Sequence, residues 1–149
     1  MSVAASLVMH PTDICVVTSL LEHPISRIDM DIYLKHLPAI KPQKPIAFIM
    51  GHGLWNDLDA PKSQVWVHQA MNESIHTAPW LAEPGAFFPR LFITPNAAGD
   101  KKPDLFLARQ GNIALARFEK NMGSWVKEQG MDHLGTWNMS IQAFNPDGT

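Results

Sequence analysis

The densest set of chemically useful residues in this 149-residue chain is one nonapeptide, Gly51-His52-Gly53-Leu54-Trp55-Asn56-Asp57-Leu58-Asp59. It follows the continuous apolar run 46–50, which stops at its first glycine. In open parallel sheets ligands bind beyond the carboxyl ends of the strands, which is where this loop would put its side chains. Two glycines permit a tight backbone turn. His52 offers a titratable ring, Asn56 an amide N–H donor, and Asp57 and Asp59 carboxylates. The plainer use of the same residues is a strand-to-helix turn, with Asn56, Asp57 or Asp59 capping the helix. A second candidate is Asp147-Gly148, whose plainer reading is an ordinary turn.

These loops need elements to hold them. The run 13–20 is apolar and β-branched and reads as a buried strand. Ser26-Arg27-Ile28-Asp29 has the form of a capping box, with Ile28, Ile32 and His36 on one face, so 26–37 reads as a helix ended by Pro38. The run 46–50 is apolar throughout, as an inner strand of a parallel sheet is. Val67, Ala70, Met71, Ser74 and Ile75 recur at helical spacing over 62–76, behind Asp59 and Pro61 as start signals. Residues 77–89 read as loop, and 90–94 as a second strand, ended by Pro95. Pro103-Asp104 opens the longest predicted helix, 105–129, with Gly130 as its C-cap. Leu115, Phe118, Met122 and Trp125 would face a sheet, while Gly111 and Gly123 would each weaken the helix by about 1 kcal/mol. Residues 134–141 alternate around Trp137, Met139 and Ile141 and read as a third strand, followed by a turn. Alternating strands and helices predict an α/β, three-layer αβα domain with a short, mainly parallel sheet. Its neighbouring strands would be 46–50, 91–94 and 134–141.

A strand followed by Gly-x-x-Asn-Asp, and later a strand followed by Asp-Gly-Thr, resembles the SGNH (GDSL-type) hydrolases. Gly51-His52-Gly53-Leu54-Trp55 is most similar to the branch containing PC-esterase-like proteins, which act on acetylated carbohydrates. The resemblance covers about residues 45–149. It implies that Asn56 donates a hydrogen bond to an oxyanion and that Asp147 orients a catalytic histidine. An oxyanion in a dry site needs preorganised donors, and a histidine base needs an acceptor that fixes its tautomer. Gly53, Trp55 and Asp57 would then line the site of a small-molecule or carbohydrate ester substrate, and the reaction implied is ester hydrolysis or acyl transfer. The chain departs from the pattern in three places. It holds no Gly-Asp-Ser, the family's nucleophile block; Ser19, in Val17-Thr18-Ser19-Leu20, matches only Ser-Leu of it. The family histidine would stand after Thr149. One extra residue separates glycine from asparagine in the middle block. The expectation is therefore an incomplete, SGNH-like C-terminal part that is inactive by itself. The competing expectation is a non-catalytic homologue that binds a ligand or partner. If Ser19 acts as a nucleophile, His52 is the first candidate for its base.

Other signals exclude more than they suggest. Formal charge is −2, with no extended basic stretch, which argues against a nucleic-acid partner. No run approaches the about 20 apolar residues of a membrane helix, and the apolar segment 1–8 lacks the basic n-region of a secretory signal. Cys15 is single and sits in an apolar run, as a small core residue does. The histidines, among them His52, His68, His76 and His133, show no metal-ligand spacing, so neither a metal nor another cofactor is expected. His52-Gly53 also resembles the oxyanion loop of α/β-hydrolases, but the chain has no Gly-x-Ser-x-Gly elbow. Trp55, Trp66 and Trp80 suit either sugar stacking or a core.

Overall fold

A computed structural model describes residues 6–9, 15–18, 35, 37, 40–41, 46–86, 88–99 and 102–144. The chain divides into two compact units, residues 1–45 with 66–87, and residues 46–65 with 88–149. The first contains an antiparallel pair, β1 (Ser6–Met9) and β2 (Cys15–Thr18), with Met9 opposite Cys15. β2 lies inside the predicted strand 13–20. β1 was not predicted: its apolar residues have no alternation that a strand would show. The predicted helix 26–37 falls almost wholly outside the described residues, as do Ser19 and Asp147.

The second unit holds the parallel sheet. β3 (Phe48–Gly51), β4 (Arg90–Ile93) and β5 (Asp132–Leu134) lie side by side in that order, both pairings parallel. Parallel neighbours need crossovers, and helices supply them. α1 (Ala60–Thr77) follows β3, and α2 (Asp104–Gln110) and α3 (Asn112–Glu128) follow β4. α4 (Thr136–Phe144) comes after β5. The fold is thus α/β around a short parallel sheet, as the alternation of elements predicted.

The core forms where two periodicities meet. In register, Met50 stands beside Phe92, and Phe92 beside His133, so these three share one sheet face. Phe92 is completely buried. On α3, Leu115, Phe118, Met122 and Val126 recur at helical spacing and are all buried.

Three expectations need correction. The predicted helix 105–129 is two helices. Gly111 closes α2 by donating its N–H to the Leu107 carbonyl, and a Cβ there would stand 2.4 Å from that oxygen. The predicted strand 134–141 is the end of β5, a glycine and most of α4. The spacing of Trp137, Met139 and Ile141 fitted a strand, but Glu119 on α3 offers its carboxylate to the Trp137 N–H, in the first turn of α4, at 3.1 Å. That distant partner starts a helix. The predicted loop 77–89 contains a 3-10 turn, Pro79–Ala82, that buries Trp80 and Leu81.

Candidate functional site

The loop after β3 lies at the sheet's carboxyl edge. It runs through a 3-10 turn, Leu54–Asn56, into α1. Gly53 turns the chain at φ 138°, and its carbonyl accepts the N–H groups of Asn56 (3.2 Å) and Leu58 (2.8 Å). A Cβ at Gly53 would stand 2.6 Å from the Phe118 ring, so close approach also demands glycine. Asp57 and Leu58 then adopt left-handed backbone at φ 55° and 60°. For non-glycine residues this costs about 1–3 kcal/mol each and persists only where surroundings over-determine it. Here they do. Leu58 is buried, while Arg109 Nη1 pairs with Asp57 Oδ2 at 3.1 Å. Gln110 Nε2 donates to the Leu54 carbonyl at 2.8 Å and to Asp57 Oδ1 at 3.3 Å.

Inside the loop the polar groups converge on Ser63, one turn into α1. Its hydroxyl lies 2.9 Å from His52 Nδ1 and accepts the Asn56 amide at 3.3 Å. The same amide reaches the Asp59 carbonyl at 3.4 Å. A hydroxyl both donates and accepts, so Ser63 ties the ring to the amide. Ser63 is completely buried, His52 nearly so and Asn56 partly. Among the described residues, Asn56 Oδ1 is a buried acceptor with no hydrogen-bond donor. Asp59 takes the plainer role: its Oδ1 accepts the Lys62 N–H at 3.0 Å and caps α1.

The structure therefore brings His52, Gly53, Asn56 and Asp57 into one loop, with the backbone of Trp55 among them. It turns Asn56 inward and leaves Asp57 at the surface. Sequence reasoning missed Ser63, Arg109 and Gln110. Ser63 belongs to no motif, and only its register on α1 aims it at His52.

Beyond β4 and β5, a second polar cluster locks α3 to α4. Glu119 Oε2 accepts from Thr94 Oγ1 at 3.0 Å as well as from Trp137 N. Thr136 donates to the Thr94 carbonyl, and Ser140 to that of Thr136. Asn112 Oδ1 takes the Ala98 N–H at 2.9 Å and the Trp137 indole at 3.3 Å. Nearby, the His133 ring lies over Gly123, where a Cβ would stand 2.7 Å from it. Burial holds this imidazole below the ordinary histidine range; Glu119 pulls the other way, and Lys127 adds to the lowering. Among the described residues no three metal-ligating side chains come together, and no helix is long and apolar enough to cross a membrane.

Comparison with family models, with curated proteins and with solved structures returned no match.

Proposed function

We propose that this chain is a non-catalytic α/β domain that binds a ligand or partner through the loop from Gly53 to Asp57. The observation that carries this reading is the orientation of Asn56. An oxyanion donor must point at the place where charge develops. The Asn56 amide instead points at Ser63 Oγ and the Asp59 carbonyl, inside the loop. What the loop presents outward is Leu54 and Asp57, the latter held in left-handed geometry. Backbone strained and then fixed by Arg109 and Gln110 is how a recognition loop is preorganised. The SGNH resemblance remains a proposal about ancestry and about a carbohydrate-like ligand.

Aryl acetate hydrolysis tests this. The expected rate is background, unchanged by Asn56→Ala. In parallel, amide chemical shifts of residues 53–57 should move when an acetylated oligosaccharide is added and stay still with a neutral control solute. A second reading has one observation in its favour: Ser63 Oγ and His52 Nδ1 stand at the distance of a nucleophile and its base. Turnover abolished by both Ser63→Ala and His52→Ala, with the fold intact, would establish that reading instead and make the chain an esterase whose loop opens.

A further inference from the structure

α2 is built against expectation for a helix of a folded domain. Leu105, Phe106 and Leu107 are consecutive, so they fan out by about 100° each around the axis. All three are exposed, Leu105 by 81%, and the helix buries no residue at all. Phe106 and Leu107 are partly covered, at 44% and 42% exposed, and Leu105 stands clear. What is described of its attachment is polar and lies at its last turn, where Arg109 and Gln110 grip the loop after β3.

The apolar surface continues across the joint. Ile113 on α3 is 74% exposed, and with Leu107 and Arg117 it lines an open cleft of about 390 Å³. Ile113, Arg117 and Lys120 follow at i, i+4 and i+7, so they lie in one row along α3. Exposed apolar side chains therefore give way to exposed cations on the same face. Residues 101–120 hold five of the chain's twelve cations and two of its fourteen acids. Of these charges, Arg109 is paired with Asp57, and Glu119 is turned inward onto Thr94 and Trp137. This stretch is positive in a chain whose formal charge is −2, so it is the part that an anionic surface would attract while the remainder is repelled.

We propose that α2 and the first three turns of α3 form a peripheral docking surface for an anionic lipid bilayer. Leu105, Phe106 and Ile113 enter the interface, and Arg117 and Lys120 meet the headgroups. A bilayer suits side chains that protrude beside exposed cations, as Leu105 and Ile113 do at 81% and 74% exposed. Such binding combines buried apolar area with attraction to anionic lipid, and needs both.

Vesicle co-sedimentation tests it on the full chain, with phosphatidylcholine alone and with added phosphatidylserine. Binding is expected to the serine-containing vesicles only and to fall as salt is raised. Leu105→Glu/Phe106→Glu and, separately, Arg117→Glu/Lys120→Glu should each weaken it by about tenfold or more. These positions are exposed, so circular dichroism and the thermal midpoint should stay at the parental values. Absence of binding, equal binding to neutral vesicles, or binding that survives either double substitution would overturn the proposal. So would light scattering that shows a dimer broken by Leu105→Glu/Phe106→Glu, since a second copy would then cover this face.

Discussion

Gly53→Ala should be strongly destabilising for a change of one methyl group. Two costs act at once. At φ 138° an L-residue sits in a region reserved for glycine, a cost of about 1–3 kcal/mol. The new Cβ would also stand 2.6 and 2.8 Å from two carbons of the Phe118 ring and 3.4 Å from Leu58 Cδ2. Phe118 is buried on α3 and Leu58 beneath the loop, so neither can swing into solvent. Overpacking of this kind costs a further about 1–3 kcal/mol. The sum, about 2–6 kcal/mol, is a large share of the about 5–15 kcal/mol that holds a domain together. At about 2–4 °C per kcal/mol the thermal midpoint should fall by roughly 4–24 °C. Urea unfolding followed by tryptophan fluorescence measures the difference. The two parts separate in a Phe118→Leu background, where the smaller side chain admits the methyl and only the backbone cost should remain. A Gly53→Ala protein within about 1 kcal/mol of the parent would refute the close approach. A cost unchanged by Phe118→Leu would refute its division into two.

His133 should make stability depend on pH. Its folded pKa is lowered, so below about pH 6.5 the unfolded chain binds more protons than the folded one. Its contribution is complete above that point and is lost as pH falls toward the lowered value. The midpoint difference between the parent and His133→Asn over roughly pH 5–8 reads this directly, and a flat difference would contradict it. Asp59→Ala removes the cap of α1 and should cost about 1 kcal/mol in urea unfolding, with a smaller loss for Asp59→Asn, which keeps an acceptor. Glu119→Ala strips partners from Thr94 and from the first turn of α4 and should cost about 1–3 kcal/mol. Faster hydrogen exchange should follow across α4, and protection retained there would show that the carboxylate is dispensable.

Continuous apolar runs made β3 and β4 legible, and capping and spacing made α1 legible, because each signal is local. The same rules stumbled over two glycines in one helical pattern. Gly111 and Gly123 look alike in sequence, and both read as weak points. Gly111 ends a helix because its backbone turns extended, at ψ 173°, whereas Gly123 sits mid-helix because His133 needs the space of a missing side chain. Only the second depends on a residue elsewhere in the chain, and no periodicity records it. α4 was misread for a similar reason: its N-terminal acceptor comes from Glu119. Within the candidate loop, residue types identified His52, Asn56, Asp57 and Asp59 as polar actors. Which of them cap, bridge or face outward was settled by Ser63 and by the clamp from α2, neither of which has a motif.

The parallel sheet also sets an order of events. Phe48 pairs with Arg90, and Leu91 with Asp132, so each strand pairing closes a loop of about forty residues. The antiparallel β1–β2 pair closes a far shorter one, with Met9 opposite Cys15. Loop-closure entropy must be met before distant contacts repay it. The crossover helices α1 and α3 are therefore expected to gain structure before β4, the central strand, pairs with β3 and β5. Refolding kinetics should show this in Phe92→Leu: faster unfolding, with a refolding rate close to that of the parent. A chain assembled in that order exposes the apolar edges of β3 and β4 while it folds, so crowded refolding at high protein concentration should lose yield to strand-to-strand association before the native register forms.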